Sequence, residues 1–200
     1  MSTSKTRRAS SEERIKEILE AGRIMLSEEG YSELSLRKVA AKAGIHLKTL
    51  QHYFPSKEEL IQSILEYTDS LYSAAFEQLR LKSSTPTEHF KSYINYLIVD
   101  DKDKQTAGFF YQLWARAHSD EHAQKIMRKM YSNHTQNIAN LMQPLNPDLP
   151  EQVRKERAYM IASLIDGAML HIGHGKKRPA GIKNFEKGIV ELALNLASNN

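Results

Sequence analysis

The sequence predicts an all-α protein: an N-terminal three-helix, helix-turn-helix domain joined by a long helix to a second, larger helical domain. Three observations carry this. Apolar residues recur at three- and four-residue steps from end to end, and no strand signal, internal repeat or low-complexity tract interrupts them. Glycines, prolines and capping residues divide the chain into segments of helical length. Residues 35–60, SLRKVAAKAGIHLKTLQHYFPSKEEL, place two short amphipathic segments on either side of Gly44. Two helices joined by a short turn containing glycine form the helix-turn-helix, whose second helix lies in a DNA major groove.

Residues 1–9 are polar, with Lys5, Arg7 and Arg8 and nothing to bury, and read as a basic arm able to touch phosphates or the minor groove. Ser10 with Glu13 is a capping box opening the first helix, whose apolar face is Ile15, Ile18, Leu19, Gly22, Met25 and Leu26. Gly30 ends it, Tyr31 folds back as a packing residue, and Ser35 caps the second helix. Leu36, Val39 and Ala40 face inward there, and Leu50, Tyr53 and Phe54 do so in the third helix. Pro55 closes that helix, and Ser56 with Glu59 is a second capping box.

From Lys57 to about Lys82 no Gly or Pro intervenes, so the fourth helix is a rigid link of roughly seven turns. Thr85, Pro86 and Glu88 start the fifth, which runs to about Val99; Asp100 to Lys104 is a charged turn. The sixth carries Phe109, Phe110, Leu113, Trp114 and Ala117, and the seventh runs from near Asp120 to about Gln143. Pro144, Pro147 and Pro150 mark the next loop. The eighth helix spans about Glu151 to His174, and the ninth about Asn184 to Ala197, beyond the basic turn 175–181.

Charge is partitioned. Residues 1–57 hold 11 Lys/Arg against 7 Asp/Glu, while the other 143 residues hold 17 of each. All the excess positive charge therefore lies with the helix-turn-helix, as expected if only that segment meets phosphate. Without cysteine there is no disulfide or thiolate metal site, and a reducing, cytoplasmic setting is expected. No apolar run reaches the ~18–20 residues of a membrane span, and the start lacks the apolar core of a signal peptide.

Residues 12–60 resemble the N-terminal domain of the TetR family of bacterial transcriptional repressors. The likeness rests on Glu28 to Tyr31 (EEGY), then Leu36-Arg37, Val39-Ala40, Ala43-Gly44-Ile45, Thr49-Leu50, Tyr53-Phe54, Lys57-Glu58 and Leu60. It implies domains at 1–56 (DNA binding) and 57–200 (regulation and dimerisation), with double-stranded DNA carrying a palindromic operator as partner. Two positions depart from the family habit: His46 stands where a hydroxyl cap is common, and Gln51 where tyrosine is. The helix start is then capped through the imidazole or by a DNA phosphate, and Gln51 can pair with adenine.

Spacing turns His46, Leu47, Lys48, Gln51 and His52 outward with Thr49 at the boundary, and these are the expected base-reading set. Leu47 is suited to a thymine methyl. By the resemblance, Ser35, Arg37, Tyr53 and Lys57 fix phosphates; Tyr53 is equally suited to the core.

In the second domain, residues 111–118 and 164–171 loosely resemble choline-sensing repressors of this family, with Ala168 and Met169 where such relatives carry bulkier residues. Expected ligand contacts are Tyr93, Tyr96, Phe110, Tyr111, Trp114, His118, Asp166, Met169 and His171. Aromatic rings with one acid suit a cationic effector, and a mainly apolar pocket also suits an apolar one. The bland alternative is that these rings only fill the core.

The eighth helix is apolar on more than one side, which predicts a homodimer through the helices around 151–174 and 184–197. His118/His122 and His171/His174 have metal-ligand spacing, but pocket or surface histidines are commoner, so no metal is expected. No phosphate loop, nucleophile elbow or paired-carboxylate segment appears, so neither enzyme activity nor a cofactor is expected. The rival reading is an all-helical small-molecule binder or enzyme with a vestigial helix-turn-helix, and the charge partition weighs against it.

Overall fold

Local signals set most helix boundaries. The computed structural model describes residues 11–199, so the basic arm and Ser10 lie outside the described residues. Among the described residues run α1 (Ser11–Glu33), α2 (Leu36–Lys42), α3 (Leu47–Tyr53), α4 (Lys57–Lys82), α5 (Pro86–Asp100), α6 (Lys104–Ala117), α7 (Glu121–Met142), α8 (Glu151–Ile172) and α9 (Phe185–Ser198), with no strand.

Ser35, Ser56, Thr85, Asp103 and Asp120 each accept an amide of the first turn that follows, relieving donors with no partner inside the helix. Helix α8 stops two residues short of the expected His174, because the Gly173 backbone turns extended after its N–H reaches Met169 O at 3.1 Å. At the other end of the domain, the Arg157 guanidinium donates to the Leu196 carbonyl at 2.9 Å and also to that of Asn199, closing the C-terminus of α9.

Gly30 breaks α1 with φ 83°, and the last turn sets off in a new direction. That places the half-buried Tyr31 ring between two cations, Lys57 Nζ 4.3 Å and the Arg116 guanidinium 3.9 Å from its centroid. Cation–π contacts of this kind contribute ~0.5–2 kcal/mol each.

Two apolar clusters form the core, and α4 runs through both. The first joins Ile18, Met25, Val39, Leu50, Leu60 and Ile64 to Phe109 and Leu113 of α6 and to Ile126 and Met130 of α7. The second gathers Phe90, Tyr93, Ile94, Ile98, Ile138, Met142, Ile161, Ile165 and Ala193, with Tyr72, Phe76 and Leu79 of α4 packed against it. In α9 the buried positions are Ile189, Ala193 and Ala197, while Leu192 turns outward.

Helices α1 and α6 meet closely. A Cβ added at Gly108 would lie 2.5 Å from the backbone oxygen of Ser27. Arg23 Nη2 donates to Gln105 Oε1 at 2.9 Å, and Lys104 pairs with Glu28 at 3.2 Å along the same seam. Gly108→Ala forces the two helices apart and is expected to destabilise the protein by ~1–3 kcal/mol, the range for overpacking. Urea unfolding measures this; an unchanged midpoint would show that the seam has slack.

Candidate functional site

The helix-turn-helix is built by a short chain reversal. Gly44 has φ 66°, and the Ile45 N–H returns to Ala40 O at 3.0 Å, which sets α3 across α2. Leu50 and Phe54 anchor α3 in the first core cluster. His46, Leu47, Lys48, Thr49, Gln51 and His52 are exposed, as is Arg37 at the start of α2. His46 occupies the N-cap position, and its imidazole makes no capping hydrogen bond, so the expected cap through that ring is not formed.

Three of the four residues expected at phosphates, Ser35, Tyr53 and Lys57, have other engagements. Ser35 Oγ accepts from Lys38 N at 3.3 Å, and half-buried Tyr53 packs on the core with its hydroxyl 3.5 Å from Ser11 Oγ. Lys57 Nζ donates to Tyr31 O at 2.7 Å, and burial lowers the pKa of this ammonium.

A cavity of about 60 Å³ lies between the two clusters. Helix α4 contributes Asp69, Tyr72 and Ser73; α5 and its end contribute Tyr93, Leu97, Asp100 and Asp101; α6 contributes Phe110. Met130, Tyr131, Asn133, His134 and Asn137 come from α7, and Ile165 and Asp166 from α8. Four carboxylates thus share one wall, with no Lys or Arg among the described lining residues.

The carboxylates differ in what holds them. Tyr72 OH donates to Asp100 Oδ2 at 2.7 Å. Trp114 Nε1 donates to Tyr131 OH at 3.0 Å, and the Tyr131 hydroxyl bonds Asp166 in turn. Asp101 Oδ2 is buried without a hydrogen-bond partner. Burial, then the Asp166 charge and then that of Asp100, push Asp101 up to about 8. Burial raises Asp166 to about 6 and also raises Asp100. Burial lowers His134 to about 4, so its imidazole is neutral near pH 7 and offers no compensating charge.

Of the nine expected ligand residues, the structure brings Tyr93, Phe110 and Asp166 to this cavity and leaves six off its wall. Tyr96 stacks edge-on to Tyr72, and Tyr111 turns its hydroxyl to Met169 O at 3.5 Å. Trp114 stands behind Tyr131, to whose hydroxyl its indole N–H donates. His118 is the exposed C-cap of α6, Met169 is buried under Gly173, and exposed His171 packs on Phe185. Among the described residues no three His, Asp or Glu gather as a metal cage. Sequence reasoning missed Asp69, Tyr72, Asp101 and Tyr131. A polar i, i+3 or i+4 series marks the α4 and α7 faces, Asp69-Tyr72-Ser73 and Tyr131-His134 beside Asn133-Asn137, whereas Asp101 at the end of α5 carries no such signal.

Known proteins share both halves. A family model described as bacterial regulatory proteins, tetR family, matches residues 18–64, and one described as BetI-type transcriptional repressor, C-terminal, matches residues 86–181. The chain belongs to the TetR family. The regulator BetI of Escherichia coli is 24% identical over 160 residues, 78% of this chain and 80% of that protein. BetI 2 of Chromohalobacter salexigens is 25% identical over 177 residues, 86% of this chain and 82% of that one.

A TetR-family regulator from Mesorhizobium loti superposes with TM-score 0.74 at 18% identity, covering 94% of this chain and 98% of that one. A Saccharomonospora viridis regulator solved in complex with choline gives 0.66 at 16% identity, covering 96% and 98%. These two likenesses are of fold. As a member of the family, the protein is a ligand-responsive DNA-binding transcriptional regulator and not an enzyme. No described helix is long and apolar enough to cross a membrane.

The raised carboxylates make stability depend on pH in a definite direction. Folded Asp101 and Asp166 keep protons that the unfolded chain releases near pH 4, so stability falls as pH rises toward about 8. Melting temperature of the ligand-free protein is expected to fall between pH 6 and about 8, and Asp101→Asn to flatten that fall. Identical slopes for both proteins would remove Asp101 as its source.

Proposed function

We propose that the protein is a homodimeric repressor whose paired α3 helices read a palindromic operator and which a compact organic cation releases from DNA. The observation that carries the cation is the cavity wall, where four carboxylates and several aromatic rings meet without a Lys or Arg. The BetI-type second domain and the likeness to a regulator solved with choline support the same class.

On the DNA side, His46, Leu47, Lys48, Thr49, Gln51 and His52 face bases, and Ser35, Arg37, Tyr53 and Lys57 face phosphates. The Lys57 ammonium exchanges the Tyr31 carbonyl for a phosphate in this reading. Exposed Tyr159, Met160 and Leu170 on α8, with Leu192 on α9, are the self-complementary face of the dimer. Two copies place two recognition helices about one helical turn of DNA apart.

Cation binding acts through helices that serve both sites. Helix α6 carries Phe110 at the cavity and Phe109 and Leu113 in the DNA-binding core, while α4 carries Asp69 and Tyr72 beyond Leu60 and Ile64. The ligand shifts the equilibrium only by its differential affinity for the two arrangements.

Fluorescence anisotropy with a labelled fragment of the gene's own upstream region tests the reading. Binding is expected to weaken with salt, and choline or diaminobutane to raise the Kd. Asp166→Asn should keep DNA affinity and lose the cation response. A DNA affinity that neither cation changes would overturn the proposal.

Gln51→Ala should relax preference at one base pair by ~1–3 kcal/mol, read from a panel of operator variants. An unchanged preference profile would exclude it from base reading. Leu170→Glu should convert the dimer to monomer in sedimentation, and a dimer that survives it would move the interface elsewhere.

A further inference from the structure

We infer that the effector cavity takes an aliphatic diammonium, one N–H-bearing head between Asp101 and Asp166 and the other at Asp69, rather than a quaternary ammonium. This rests on the cation site proposed above and goes on to specify what the cation must carry.

The first argument is charge. One cationic head needs one acid beside its aromatic wall, whereas Asp69, Asp100, Asp101 and Asp166 line this cavity together. Arg23, off the wall, partly compensates Asp100, but no cation is among the causes that act on Asp101 or Asp166. His134 is neutral, so positive charge there comes from the ligand or from protons.

The second argument is hydrogen bonding. Asp101 is 9% exposed, and its Oδ2 has no donor. A buried carboxylate oxygen left unpaired is costly, and its need is an N–H or O–H group. Quaternary ammonium presents only methyl groups. A primary ammonium presents three N–H donors, enough to serve Asp101 and Asp166 together.

The third argument is placement. Asp101 and Asp166 both line the cavity, and the Asp166 charge raises Asp101. Asp69 lines the same cavity from another helix, half-buried on α4, with its Oδ2 accepting from Nδ2 of exposed Asn133 at 2.9 Å. Leu97, Phe110, Met130 and Ile165 complete the wall. These apolar side chains suit a methylene chain joining two ammonium heads.

Calorimetric titration of the full chain with diaminobutane, diaminohexane, butylamine and choline tests this. At least one diamine is expected to bind about tenfold more tightly than butylamine or choline, as a second charge-assisted hydrogen-bonded head allows. Asp69→Asn should bring that diamine down to the butylamine affinity while leaving butylamine unchanged, which also shows that the variant is folded. Asp101→Asn should weaken both amines.

Choline binding as tightly as the best diamine, or Asp69→Asn weakening butylamine and diamine equally, would overturn the inference. If choline alone binds, the cation site stands and only the diammonium falls. If none of the four binds, the cation site falls with it.

Discussion

The close approach of α6 to α1 is the constraint on which the two halves of this protein depend. Gly108 lets the backbones meet at Ser27, and any side chain there would separate them. Around that point the Arg23–Gln105 and Lys104–Glu28 contacts hold the register, and Arg116 reaches past the seam to the face of Tyr31. Packed helices do not deform continuously, so a displacement of α6 is passed to α1 rather than absorbed. The same helix puts Phe110 at the cavity, which makes the seam the physical link between ligand and DNA in the proposed mechanism.

The cavity is a problem in electrostatics that the fold leaves open. Taking four carboxylates toward the interior with no cation among the lining residues is unfavourable, and the chain answers with local measures. A tyrosine hydroxyl serves Asp100, a Trp114–Tyr131 relay serves Asp166, and raised pKa values let protons stay on Asp101 and Asp166. Among these four carboxylates, the buried oxygen without a hydrogen-bond partner is Asp101 Oδ2, where the proposed ammonium would donate. In the proposed mechanism, stability given up in the free state is recovered there on binding.

The recognition helix is short and depends on its surroundings. Seven residues with no side-chain cap would not hold a helix alone in water. Leu50 and Phe54 buried against the first cluster hold it, and the Gly44 turn fixes its angle to α2. Precision at the DNA surface therefore derives from the core beneath, and the same core contains residues of α6 and α7.

By itself the sequence determined whatever depends on neighbours a few residues away. The caps at Ser35, Ser56 and Thr85, the Gly44 turn and the outward set of α3 follow from spacing and side-chain chemistry, and the structure places them so. Tertiary structure alone decided the cavity. Tyr111 follows Phe110 by one residue, hence about 100° around the helix, so one ring faces the cavity and the other faces α8. Asp69, Asp101, Tyr131 and Asp166 come from four separate places in the chain. Only the rotational phase of each helix, set by how α4 to α8 pack, turns their polar groups to one point. Periodicity shows which residues share a face; it does not show what that face meets.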